Sequence, residues 1–291
     1  MRLMHATILI TGGSSGIGLE LARQLLARDN TVIIVGRRPE SLEAAQARLP
    51  DLHIAVCDVS RPAAVAELFD ELAPAFPALN VLVNCAGGMQ RLDLLADRGS
   101  PELTAEIDVN LKGAMWMVAR FLPLLKTQPQ AAIVNVTSGL AYVPLAAAPI
   151  HSASKAGFHA YTRALRAQLA ESAVQVFEIA PPPTDTPLRD RFPIGRGRVL
   201  SAEAVARAAI AGIERGVWEA AVGRAGLLRL WSRIAPQLAF ARLNDAAGAR
   251  KAAARIGGRR AGRRPPSVPP RPGGVDRQSP PPSGGLGVAA T

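Results

Sequence analysis

The chain has 291 residues, 48% of them apolar, and a formal net charge of +11. That length supports one sizeable core, with or without a tail, and no run of eighteen apolar residues offers a membrane-spanning helix. Nine Lys or Arg stand against one acid, Asp276, within 249–291, so most of the basicity belongs to that segment and does not mark the rest as a nucleic-acid binder.

Strand and helix patterns alternate along the chain. Strands are predicted at 6–11, 31–35, 52–57, 79–84, 131–137, 174–180 and 217–222, with helical patterns near 16–28, 39–48, 61–73, 102–125, 149–171 and 201–215. Runs such as Val32-Ile33-Ile34-Val35 and Val81-Leu82-Val83 fit strands buried on both faces. The alternation predicts an α/β fold over 5–222: a doubly wound parallel sheet of Rossmann type, about seven strands, with its ligand crevice at the carboxyl ends. The N-terminal apolar segment is needed as the first strand and is not read as a leader. Cys57 and Cys85 fall at strand ends and suggest neither a disulfide framework nor a metal site, which fits a reducing, cytoplasmic setting.

The first strand feeds T-G-G-S-S-G-I-G at 11–18, followed by helical spacing of Leu21, Ala22 and Leu25. Gly12 permits a tight turn, Gly16 lets the backbone approach an anion, and Gly18 lets helix pack on strand. A helix N-terminus after such a loop presents N–H groups and a positive dipole end to a pyrophosphate. Gly12, Ser14, Ser15, Gly16, Ile17 and Gly18 are therefore candidate cofactor contacts. The second strand ends Val35-Gly36-Arg37-Arg38, with no acid where a site for NAD places one. Arg37 suits a 2′-phosphate, so NADP(H) is expected over NAD. Asp58 and Val59 follow the third strand; Asp58 can accept the adenine amino group or simply cap the next helix.

Five motifs now stand in order: T-G-G-S-S-G-I-G, N-C-A-G at 84–87, D-V-N at 108–110, N-V-T-S at 135–138 and S-A-S-K at 152–155. Together they resemble the short-chain dehydrogenase/reductase family over roughly 5–222. The stretch 138–149 further resembles its DltE-like branch. The resemblance implies that Asn84, Ala86 and Gly87 line the cofactor, Asn110 holds a water in a proton relay, and Ser138 bonds the substrate oxygen. It implies that Lys155 binds the nicotinamide ribose and biases the neighbouring acid/base. Pro181, Thr184 and Thr186 match the P-G-x-V-x-T segment around the nicotinamide, although Pro182 replaces its glycine and Thr184 its valine.

The departure is His151. The family has tyrosine four residues before the lysine, one helical turn away on the same face. Imidazole also does acid–base work, but it reaches about 2 Å less far than a phenol, and a ~1 Å misplacement can cost on the order of a hundredfold. Lys155 disfavours imidazolium, so a neutral imidazole is expected, usable as a base for alcohol oxidation and poor as an acid for reduction. Tyr142 is read as a wall of the substrate site or a substitute proton donor, and His159 as a packing residue.

Residues 223–248 read as one amphipathic C-terminal helix, with Leu227, Leu230, Trp231, Ile234 and Leu238 at helical spacing and a kink at Pro236. Its apolar face suits its own domain, a subunit partner or, weakly, an anionic membrane surface through 223–243. The Pro/Gly/Arg-rich 249–291 segment is expected to be disordered. The expected function is an NADP-dependent oxidoreductase acting on a small carbonyl or alcohol substrate, using Asn110, Ser138, His151 and Lys155, with no metal. The alternatives are a non-catalytic NADP-binding pseudoenzyme and a tail-driven nucleic-acid or membrane binder. The resemblance implies a homodimer or homotetramer through the helices at 102–125 and 149–171.

Overall fold

A computed structural model of the chain describes residues 1–93, 101–188 and 199–246. The 249–291 segment, expected to be disordered, lies outside the described residues.

Seven parallel strands form the sheet: β1 (Thr7–Thr11), β2 (Thr31–Gly36), β3 (His53–Val56), β4 (Leu79–Asn84), β5 (Ala131–Val136), β6 (Val174–Ala180) and β9 (Glu219–Ala221), ordered β3-β2-β1-β4-β5-β6-β9. Two-residue strands β7 (Thr184–Asp185) and β8 (Leu200–Ser201) pair separately. Successive side chains alternate between two apolar layers. Ile8, Ile10, Val32, Ile34, Val81 and Val83 face one layer, with α1 (Gly16–Leu26), α2 (Pro39–Arg48) and α6 (Ala202–Glu214). Leu9, Ile33, Val35, Leu82 and Ile133 face the other, with α3 (Pro62–Ala75), α4 (Ala114–Lys126) and α5 (Pro149–Gln168). This double burial is why the strands read as unbroken apolar runs.

The strand order reverses between β2 and β4 on either side of β1, which opens the crevice at their carboxyl ends. Thr11 closes the base of that crevice. Its Oγ1 accepts the N–H groups of Cys85 and Ala86, each at 3.1 Å, while the Gly12 N–H donates to the Val35 carbonyl at 2.8 Å.

Two expectations need correction. The 102–125 pattern is not one regular helix: a 3-10 turn (Pro101–Thr104) and a helical turn (Ala105–Ile107) lead into a π-helical segment (Asp108–Gly113) before α4. The widened turn carries Asn110, whose side chain is bonded outside the helix. The 223–248 stretch is not one kinked helix either. It splits at Ala235 into α7 (Arg224–Ile234) and α8 (Pro236–Ala246). Proline lacks an N–H, so it starts a helix more readily than it continues one.

Candidate active site

The β1–α1 loop is shaped for an anion. Gly12 has φ +68° and Gly16 φ +55°, and a methyl on Gly12 would lie 2.8 Å from the Ala86 backbone. The first α1 hydrogen bond runs from the Leu19 N–H to the Ser15 carbonyl, and the Ser15 hydroxyl caps nothing. The N–H groups of Gly16, Ile17 and Gly18 precede that bond and are left outside the helix's own ladder, as anion binding at a helix N-terminus requires. Ser14 stands beside Gly36 at the end of β2, followed by the exposed Arg37. Asp58 Oδ1 accepts the Ser60 N–H at 3.0 Å and its hydroxyl at 2.7 Å, a local turn that fixes the carboxylate next to buried Val59.

After β6, buried Pro181 accepts the Gly139 N–H at 3.0 Å. The Thr184 hydroxyl bonds the Pro182 carbonyl at 2.8 Å. Thr186 lies over Gly16, where an added methyl would meet its Cγ2 at 3.0 Å. The Pro181–Thr186 segment and the glycine loop therefore face one another across the crevice.

Behind them runs a polar thread. Asn84 Nδ2 donates to Asn135 Oδ1 at 2.9 Å, and Asn135 Nδ2 donates to Thr162 Oγ1 at 2.9 Å. It ties β4 to β5 and β5 to α5.

The four candidate catalytic residues sit around the ends of β4 and β5. Asn110 Oδ1 accepts the Gly88 N–H at 2.7 Å; its Nδ2 donates to the Gly88 carbonyl at 2.9 Å and to Ser154 Oγ at 3.0 Å. Lys155 is buried and donates to the Val136 carbonyl at 2.8 Å. Burial pulls its pKa down to about 8, against the opposing pull of Cys85 and Glu178. A methyl on Gly87 would stand 3.1 Å from Asn110 Oδ1 and 3.5 Å from Lys155 Nζ, so these three residues converge. Ser138 ends β5 as a cap: its Oγ accepts the Leu140 N–H at 3.1 Å.

His151 lies one turn before Lys155 and is 6% exposed. Its Nδ1 is 2.8 Å from the Gly88 carbonyl, the same oxygen that receives Asn110. A carbonyl only accepts, so Nδ1 carries the proton. Burial, then the Lys155 charge, lower the pKa of His151 to about 4. The ring is neutral near pH 7, as the sequence led us to expect.

Sequence reasoning missed Glu106. Its carboxylate is 7% exposed; one oxygen accepts the Gln90 N–H and the other lies 3.9 Å from His151 Nδ1. A signal existed, because Glu106 precedes Asn110 by four residues, about one helical turn. His159 is also more than a packing residue. Its Nδ1 bonds the fully buried Glu178 carboxylate at 2.8 Å, which the Thr137 hydroxyl also reaches at 2.7 Å. Tyr142 packs edge-on against His159 with ring centroids 5.3 Å apart. Burial and Glu178 raise the Tyr142 pKa, making its phenol a poor proton donor.

The flank beside His151 is apolar. Met89, Leu145 and Ala148 pack with Leu140, Leu188 and Leu243, the last from α8. A separate cavity of about 320 Å³ opens between Tyr142–Pro144 and the α7–α8 junction at Ser232, Pro236 and Phe240.

Known proteins agree with this geometry. The chain is 41% identical over 225 residues to the uncharacterized oxidoreductase DltE of Bacillus subtilis, covering 75% of this chain and 88% of that one. A short chain dehydrogenase from Burkholderia cenocepacia, solved in complex with NADP, superposes with a TM-score of 0.74 at 28% identity, covering 84% of this chain and 99% of the other. A short-chain dehydrogenase from Sphingobium yanoikuyae, in complex with NADPH, gives 0.68 at 27% identity, covering 74% and 87%. The short chain dehydrogenase profile matches residues 6–195, and the chain belongs to that family, in its DltE-like branch.

Proposed function

We propose that the protein is an NADP(H)-dependent oxidoreductase that interconverts a carbonyl and an alcohol. The observation that carries this reading is the convergence of Gly87, Asn110 and Lys155 beside His151, opposite an uncapped helix N-terminus. The residues fit the dinucleotide. Gly12, Ser14, Ser15, Gly16, Ile17 and Gly18 would cradle its pyrophosphate, Arg37 its 2′-phosphate, and Asp58 and Val59 its adenine. Asn84, Ala86, Gly87, Pro181, Thr184 and Thr186 would line the inner half, with Lys155 on the ribose. The NADP and NADPH complexes of the two structural relatives support the choice of phosphate form.

The bound nicotinamide supplies or accepts hydride at the substrate carbon. Ser138 orients the substrate oxygen. His151 takes the hydroxyl proton in oxidation and returns it in reduction, directly or through a water. Asn110 holds the Gly88 carbonyl that in turn holds the imidazole. The apolar side around Met89, Leu145 and Leu243 favours a substrate with a hydrocarbon flank.

The neutral, tethered histidine also favours a second reading, a cofactor-binding protein without turnover. A screen of aldehydes, ketones and alcohols with NADP(H) across pH 5–8 separates the two, run beside His151→Ala and His151→Tyr. Parental turnover abolished in His151→Ala supports catalysis by histidine. Turnover that appears only in His151→Tyr supports the second reading. No saturable binding of NADPH or NADH removes both.

Exposed Trp116 on α4 supports self-association through that helix. Four apolar residues of α7 are left uncovered by the described residues: Leu227, Leu230, Trp231 and Ile234 are 40–72% exposed. A second subunit or an anionic lipid surface would cover them. The free thiols of Cys57 and Cys85 suit a reducing cytoplasm.

A further inference from the structure

Glu106 has no part in the family pattern that the motifs carry, yet its carboxylate is buried against His151, the residue that replaces the pattern's tyrosine. Oε1 is occupied by the Gln90 N–H. Oε2 is buried with no hydrogen-bond partner and lies 3.9 Å from His151 Nδ1. Nδ1 has a single proton, which points at the Gly88 carbonyl, 2.8 Å away. A buried carboxylate with an orphaned oxygen costs free energy unless something charged or protic comes to it. The group within reach is the imidazole, which becomes charged only if it takes a second proton.

We propose that Glu106 is the positioning residue of His151: its carboxylate reinforces the Nδ1–H tautomer that the Gly88 carbonyl sets, leaves Nε2 to exchange the proton with the substrate oxygen, and stabilises the imidazolium when it forms. This rests on the oxidoreductase reading for its catalytic part. In oxidation, the substrate O–H bond breaks and its proton moves to Nε2, while the hydride leaves the carbinol carbon for the oxidised nicotinamide. The ring then carries two protons and a positive charge, and Glu106 faces it as the anion. In reduction both transfers reverse. A base oriented by a third group is a recurrent catalytic arrangement, and here it compensates for the burial and the Lys155 charge that disfavour imidazolium.

The groups facing this pair are few among the described residues. Lys155 opposes imidazolium from α5, the Gly88 carbonyl favours it from the β4 loop, and the Gln90 N–H favours the Glu106 anion. Burial raises the Glu106 pKa to about 7. A proton taken up near that pH goes to the carboxylate, 3.9 Å from the ring, and changes the charge that His151 faces.

The test compares the parent with Glu106→Gln, which keeps an acceptor for Gln90, and Glu106→Asp. Ring-proton NMR follows His151, assigned by His151→Tyr, with the cofactor-free protein and no substrate. The His151 ring protons should report the Glu106 titration as a step near pH 7 in the parent that vanishes in Glu106→Gln and partly returns in Glu106→Asp. An identical His151 titration in parent and Glu106→Gln overturns the proposal. In turnover, Glu106→Gln should lower kcat about tenfold or more with the NADPH Kd within about twofold, and should have less than about a twofold effect in the His151→Tyr background. Equal losses in both backgrounds mean a structural role only and also overturn it. If no variant turns over any substrate, the oxidoreductase reading fails by itself, and the NMR titration still decides the pairing.

Discussion

Asn244 grips the loop that ends in the helix bearing His151 and Lys155: its Oδ1 accepts the Ala146 N–H at 2.7 Å, and its Nδ2 donates to the Pro144 carbonyl at 3.2 Å. The two contacts span 98 and 100 residues, so α8 sets the shape of the loop between Ser138 and His151. Asn244→Ala removes both bonds from a buried position, and a third from Nδ2 to the Phe240 carbonyl at 2.9 Å, a cost of about 1 kcal/mol each. We expect the substrate KM to rise by roughly fivefold or more, with the NADPH Kd unchanged. A variant with parental KM would show that the clamp has no bearing on substrate.

The direction of pH dependence follows from His151. With its pKa lowered to about 4, the ring is a neutral base from pH 5 upward. Oxidation should persist to neutral pH. Reduction needs the protonated ring, so kcat at saturating ketone should rise by about tenfold per pH unit from pH 8 down to pH 5. A flat profile, or a fall in acid, contradicts histidine as the proton donor. Above pH 8, Lys155 loses its charge, and cofactor affinity should weaken there.

Arg37 is exposed at the end of β2, with Gly36 in place of an acid. Arg37→Ala should raise the NADPH Kd by about tenfold to a hundredfold, the value of hydrogen bonds to a charged group, and should leave the NADH Kd nearly unchanged. Calorimetric titration of both forms measures the ratio. An equal loss for NADPH and NADH would place Arg37 outside the phosphate site.

Gly12 and Gly16 both have positive φ, but their surroundings differ. A methyl at Gly12 meets the backbone of Ala86, which cannot swing aside; at Gly16 it meets the side chain of Thr186. Gly12→Ala should cost about 1–3 kcal/mol in backbone strain alone, a Tm loss of roughly 3–10 °C, and should abolish NADPH binding. Gly16→Ala should be milder in Tm. Thermal melts with and without NADPH rank the two.

Much of this molecule was readable in the residues. The seven main strands fall within two residues of their expected bounds, because double burial leaves unbroken apolar runs between turn residues. The glycine loop was legible because its backbone demands are local. What escaped was set by distant partners. The π segment at Asp108–Gly113 accompanies Asn110 bonding both backbone groups of Gly88, 22 residues away. Glu178 lies in a strand that reads as apolar, and its pairing with His159 needs the sheet to be assembled first. Glu106 gained meaning only once Gly88 and His151 stood beside it. The split at Pro236 was half legible: proline announced a break, and a second helix beyond it gave that break its form.

The thread from Asn84 through Asn135 to Thr162 has a bearing on how such a scaffold can diversify. Hydrogen bonds of fixed geometry staple two strands and the helix bearing His151 and Lys155 into a single slab. Sliding any one of them would strand a polar group in an apolar interior, so the slab resists drift. New chemistry on this frame therefore has to come from exchanging side chains upon it, as at position 151, or from recutting the rim at 139–148 and 184–188, which that thread does not cross.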